Sequence, residues 1–229
     1  MSKNNPILSI KKDSETIRIT VLTNVVKMLN KRKWINDSNV EKEIEKMIKT
    51  QNDNHVYMVN LDVDLSNLDT YYPPEDNEER KFIEGFIGNT VAIKLLPQKI
   101  TSVGKSPIIQ EFFNENKKNH KILIVDSISD KSKAQMTLIK HVEVFTEPFF
   151  MLDLMEIICC PKYEVLTPKE TTDFLNSYHL TRKQMKKIFD TDPASQYLFV
   201  KKKQIVRIIR DSEISGKSVD YRLVIHKGI

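Results

Sequence analysis

DPASQYLFVKKKQIVRIIRDSEISGKSVDYR, residues Asp192 to Arg222, is the stretch that decides the fold. Lys201, Lys202 and Lys203 lead into QIVRIIR (Gln204 to Arg210), a polar SEISGKS loop follows, and VDYRLVIH (Val219 to His226) completes the pattern. Two apolar, β-branched runs around a polar loop predict an antiparallel hairpin, with the three lysines in a solvated turn before it. Nothing in the stretch supplies a nucleophile, a metal cluster or a phosphate loop, so it reads as an assembly surface. Just upstream, Asp192-Pro193 predicts a capped short turn. Thr167-Pro168-Lys169-Glu170 combines a capping box with Pro at the first helical position, with Phe174 and Leu175 on the buried face. Thr181 with Gln184 repeats the box ahead of Met185, Ile188 and Phe189, predicting a second helix. Three short helices and a hairpin make a compact α+β module of residues 158–229.

Before Pro161 the pattern is different. Ile17, Val21, Leu22, Val25, Met28 and Leu29 recur at helical spacing, and Trp34 closes that helix. Ser38 with Glu41 predicts a capping box opening a second helix. Strands are expected at His55 to Val63, Thr90 to Pro97, Lys121 to Asp126 and His141 to Phe145. Between them fall a loop from Asp64 to Asn77, a short helix with Phe82, Ile83 and Phe86, a helix opened by Ser106-Pro107, and one over Ser132 to Lys140. This alternation predicts an α/β layer over residues 1–157 and an α+β protein as a whole.

The chain has 229 residues and a net charge of +5. From Cys160 onward there are 14 Lys and Arg against 8 Asp and Glu, while the first 159 residues hold 22 against 23. A basic final third suits an acidic partner, nucleic acid or protein. No run reaches the roughly 18 apolar residues that span a bilayer, so no membrane partner is expected. MSKNNPILSIKKDSE lacks the apolar core of a secretory signal. Cys159 and Cys160, adjacent in MEIICCP, are expected to be buried, reduced thiols of an intracellular protein.

Reaction chemistry finds little support. Gly104-Lys105-Ser106 lacks the earlier glycine of a phosphate loop, since Lys99 stands there. The acid-x-Lys spacing of a metal-dependent nuclease occurs at Glu79-Arg80-Lys81 and Glu115-Asn116-Lys117, in polar helix-like or loop sequence, and Asp126 has no such partner. His55, His120, His141, His179 and His226 are isolated in sequence, without the i, i+4 spacing of a helical metal site. No catalytic residue, metal site or cofactor is expected. A free-standing nucleic-acid-binding regulator and a nuclease stand as the alternative classes.

From Cys160 to Val224 the chain resembles the fifth-subunit family of eukaryotic RNA polymerases, which has an archaeal counterpart. The resemblance rests on CPKYEVLTPKE, TRKQMKKI, Asp192-Pro193 and IVRIIRDSEISGKSVDYR, with Ser212-Glu213, Ser215-Gly216 and Tyr221-Arg222 in register. The first 150 residues match in outline, including LIVDSIS and a Glu-Pro; the archaeal proteins lack this region, which makes the chain eukaryotic-type. The family implies a non-catalytic subunit. Its C-terminal module docks on the largest subunit, and its N-terminal jaw lies beside downstream duplex DNA. On that basis Arg207, Arg210, Ser212, Glu213, Ser215, Gly216, Tyr221 and Arg222 are expected to form the docking face, and Lys131, Ser132 and Lys133 to touch DNA phosphates. The family usually has a second His in the stretch where Tyr163 stands, and a glycine at the positions of Phe199 and Lys203, so a reshaped approach to the hairpin is expected. The divergence and the Lys- and Asn-rich composition suggest a large DNA virus or a fast-evolving eukaryote. The expected location is then the virion and host-cell cytoplasm, or the nucleus if the protein is cellular.

Overall fold

The computed structural model describes residues 13–50, 54–62, 89–100, 106–137, 139, 141–214 and 216–226. The expected Asp64 to Asn77 loop, the helix with Phe82, Ile83 and Phe86, the triplet Glu79-Arg80-Lys81, the pair Gly104-Lys105, and Ser215 lie outside these residues.

Helix α1 (Ser14–Lys31) buries Val21, Leu22, Val25, Val26, Met28 and Leu29, the stripe its periodicity predicts. It stops at Lys33, which takes a left-handed φ of 62°, and the Trp34 amide closes the end on the Leu29 carbonyl at 3.0 Å. Helix α2 (Asp37–Lys49) starts at Asn36 rather than Ser38, so the expected Ser38–Glu41 capping box does not form. The acceptor comes from elsewhere in the chain. Asp62 takes the Asn36 amide and the Asn39 side-chain amide, both at 2.8 Å.

The first sheet runs β1-β2-β3-β4, from β1 (Val56–Asn60), β2 (Thr90–Ile100), β3 (His120–Ile128) and β4 (Val142–Thr146). Strand β1 is antiparallel to β2, and the other pairs are parallel. Helix α3 (Pro107–Glu115) links β2 to β3, and α4 (Asp130–Thr137) links β3 to β4. Pro107 does open α3, but the Ser106 side chain makes no capping bond. Strand β2 continues past Pro97, where the sequence predicted its end. A register shift between Leu96 and Lys99 absorbs the proline, which has no amide hydrogen to donate. Strand β3 is buried from His120 to Val125, as a central parallel strand covered on both faces must be. Its alternate residues divide between two cores: Ile122 and Ile124 pack toward α1, Leu123 and Val125 toward α3 and α4.

The second sheet runs β5-β7-β8-β6, from β5 (Lys162–Val165), β6 (Lys186–Phe189), β7 (Ile205–Ser212) and β8 (Gly216–Ile225). The predicted hairpin is β7–β8, paired antiparallel from Ile205–Leu223 to Ser212–Gly216. The Thr167–Glu170 box caps α5 (Pro168–Ser177), and Asp192 accepts from the Ala194 amide to cap α6 (Pro193–Tyr197). The expected middle helix is a correction. Thr181 and Gln184 form their box, but only a single turn follows, and Ile188 and Phe189 belong to β6, paired parallel with β8. Met185 and Ile188 are three apart, a spacing that suits either structure in so short a run; the waiting edge of β8 decides it. Strand β5 was not anticipated.

The cysteines also depart from expectation. Cys159 is exposed and Cys160 half-buried, in a turn closed by the Cys160 amide on the Ile157 carbonyl at 2.8 Å. Phe199 and Lys203 keep left-handed φ values of 55° and 73°, the backbone that favours glycine. The approach to the hairpin therefore carries side chains at two positions whose backbone favours glycine. Tyr197, well past residue 157, is buried in the first core, and its hydroxyl donates to Asp153 Oδ1 at 2.9 Å. No helix among the described residues is long and apolar enough to cross a membrane.

Candidate docking face and nucleic-acid contact

Strand alternation splits the expected docking residues. Arg207 and Tyr221 are cross-strand partners on the face covered by α5, where Tyr221 stacks on Phe174 with centroids 4.1 Å apart. Arg210 and Arg222 belong to the opposite face, in register with Ser218 and Val206. Ser212, Glu213 and Gly216 gather at the hairpin end, where Gly216 takes a left-handed φ of 70° that favours glycine. The expected set is thus divided between the two faces of the central β7–β8 pair and its tip, not one flat face.

Each arginine but one is already held. Arg207 Nε donates to Glu164 Oε2 at 2.8 Å, and Lys162 bonds the same carboxylate at 2.7 Å. Lys162 and then Arg207 hold the Glu164 carboxyl below its usual range. Arg222 Nε donates to Asp220 at 3.1 Å, and Lys186 reaches the other oxygen at 2.9 Å. Burial pushes the Asp220 carboxyl up, but the Lys186 and Arg222 bonds outweigh it and hold it low. Arg210 and Glu213, both exposed, have no ion pair among the described residues. Ile214 is 99% exposed and Val219 49% exposed beside them. These two apolar side chains were missed in the sequence; the signal was an isoleucine inside an otherwise polar SEISGKS loop.

The residues of the expected DNA contact do not all face outward. Lys131 and Lys133 are exposed on the first turn of α4, at the C-terminal end of β3. Ser132 is 1% exposed and works inward. The Ser129 hydroxyl donates to Ser132 Oγ at 2.9 Å and accepts from the Ser132 amide at 3.3 Å, so the serines brace the turn that presents the lysines.

Among the histidines, His120 is not isolated in space. It is buried at the start of β3, with Nε2 2.6 Å from Glu143 Oε1. Arg32 closes the other side of that carboxylate with two bonds of 2.7 and 2.8 Å. Burial pushes the Glu143 carboxyl up, but the Arg32 charge and the His120 bond together bring it down to about 2. Burial keeps His120 below its ordinary value. Among the described residues no three His, Cys, Asp or Glu side chains gather as metal ligands. A cavity of about 320 Å³ between the β1–β2 pair and α3 is lined by Lys94, Glu111 and Glu115, a mixture of charges rather than a reactive set.

Residues 152–224 match the family described as "RNA polymerase Rpb5, C-terminal domain". The chain is 29% identical to "DNA-directed RNA polymerase subunit 5" of Acanthamoeba polyphaga mimivirus over 227 residues, 98% of this chain and all of the relative. It is 37% identical over 70 residues to "DNA-directed RNA polymerase subunit Rpo5" of Methanocaldococcus jannaschii, 31% of this chain and 90% of that one. It is 35% identical over 83 residues to "DNA-directed RNA polymerases I, II, and III subunit RPABC1" of Caenorhabditis elegans, 36% of this chain and 39% of that one.

Proposed function

This chain belongs to the fifth-subunit family of DNA-directed RNA polymerases, and from that premise we propose that it is a non-catalytic subunit whose residues 158–229 dock on the largest subunit. The observation that carries the docking reading is the exposed end of the β7–β8 hairpin. Arg210 and Glu213 lack ion-pair partners among the described residues, and Ile214 and Val219 stand in solvent. Such residues gain most when a partner covers them, because their apolar area leaves water and their charges find complements. In a pull-down from cells, Glu213→Lys combined with Arg222→Glu should strip the chain of the largest subunit while leaving its far-ultraviolet spectrum intact. Normal recovery of the largest subunit would sink the docking assignment.

Residues 1–157 act in this reading as a jaw beside downstream duplex DNA, with Lys131 and Lys133 on phosphates and Ser132 holding their turn. Contacts of this kind are blind to sequence and sensitive to salt. Replacing both lysines with alanine in the assembled polymerase should flatten the salt dependence of the elongation complex; an unchanged slope would refute the contact. The purified chain should neither bind DNA tightly nor cut it with Mg²⁺, which separates a subunit from a free-standing regulator and from a nuclease. Its place is then wherever the polymerase works: virion and host cytoplasm for a viral enzyme, nucleus for a cellular one.

A further inference from the structure

We infer that the Phe199 ring is a clamp that makes the two sheets move as one body. Helix α6 ends in a turn closed by the Phe199 amide on Gln196 O at 3.1 Å and the Val200 amide on Ser195 O at 2.9 Å. That turn requires a left-handed residue, and glycine is the unstrained choice. An aromatic residue there, at φ 55°, is costly for the backbone. Its side chain is what offsets the strain. The ring lies edge-on to Trp34 at 5.4 Å and to His120 at 5.3 Å between centroids, and the Arg32 guanidinium carbon sits 5.2 Å from its centre. All three belong to the first sheet and its helices, whereas Phe199 leads into the second.

The guanidinium repeats the link through hydrogen bonds. Arg32 donates to the Tyr197 carbonyl at 2.8 Å and to the Gln196 carbonyl at 3.0 Å, the latter already taking the Phe199 amide, so the guanidinium grips the last turn of α6 directly. Glu143 fixes that guanidinium from β4. Aromatic edges, a cation and two carbonyls therefore converge on one four-residue corner, Gln196 to Phe199. A corner held by so many unlike contacts has one arrangement rather than a range, so the α4 lysines keep a fixed bearing to the hairpin tip. The coupling belongs to the chain alone and does not depend on its docking in a polymerase.

The test uses the full chain and its single tryptophan, which lies in the socket itself. Urea unfolding is followed by Trp34 emission for the socket and by hydrogen exchange of β7–β8 amides for the second sheet. In the wild type the two midpoints should coincide. Phe199→Gly relieves the backbone but removes the ring. The clamp predicts that its midpoints separate, and that native Trp34 emission shifts to the red and becomes easier to quench. If the Phe199→Gly midpoints stay together and move to higher urea, the ring was merely tolerated and the inference fails. Phe199→Leu keeps the strain while losing the aromatic edges, so it should separate the midpoints too and lower both; coincident midpoints in that variant would also overturn the clamp.

Discussion

Two arginine–carboxylate pairs show how differently the same chemistry serves two parts of this molecule. Arg32 and Glu143 meet between the sheets with side chains 1% and 11% exposed, and the guanidinium also engages two carbonyls and two aromatic rings. Asp220 on the second sheet is also 11% exposed, but its cations differ: Arg222 is 38% exposed, and the lysine that shares the carboxylate is 72% exposed. The buried pair has been taken out of water, so removing either member strands a charge. The outer pair is screened, and its loss leaves groups that water can satisfy. The difference teaches that one pairing chemistry carries much of the fold's integrity where water is excluded and little where water reaches it.

The comparison breaks most visibly at Glu143. Glu143→Ala leaves Arg32 buried without its carboxylate, and the expected loss in a urea titration is about 3–5 kcal/mol, the range for one member of a buried pair. A loss near that of a surface pair would mean that Arg32 is satisfied by the carbonyls alone.

Acid attacks the same junction. Glu143 titrates at about 2 in the fold against 4.5 ordinarily, so its contribution is present above pH 4.5 and drains away as pH falls toward 2. His120 is also held below its ordinary 6.5, so stability begins to fall once the unfolded chain takes up a proton that the fold refuses. Stability measured from pH 7 down to 3 should therefore decline throughout, and Glu143→Gln should flatten the lower part of the curve.

Smaller effects belong to the second sheet. Thr167→Ala removes the cap of α5, and a cost of about 1 kcal/mol is expected from thermal unfolding. Asp220→Asn should cost less still, about 0–1 kcal/mol, and that loss should shrink further in high salt. If Asp220→Asn matched Glu143→Ala, the contrast between buried and solvent-facing pairs would be lost.

The elements that were legible in the sequence are those decided by neighbours a few residues away. The α1 stripe, the Thr167 box, the Asp192 cap and the β7–β8 hairpin all read correctly, because periodicity, caps and turn chemistry are local. Where distant residues intervened, the reading failed. Asp62 displaced the Ser38 cap, the edge of β8 drew Lys186–Phe189 into a strand, and β5 formed only because β7 was there to pair with. At the candidate site the sequence picked out the hairpin and the α4 lysines. It did not reveal that Ser132 faces inward, that Arg207 and Arg222 lie on opposite faces, or that Ile214 is bare.

By itself the sequence determined the class of this protein, its family and the hairpin at its heart, since motif and alternation are written along the chain. Only the tertiary structure decided that His120, Trp34, Arg32, Glu143 and Phe199 share one buried corner. Those residues are scattered from 32 to 199, and burial, which makes their charges and rings matter, exists only once the chain has closed around them.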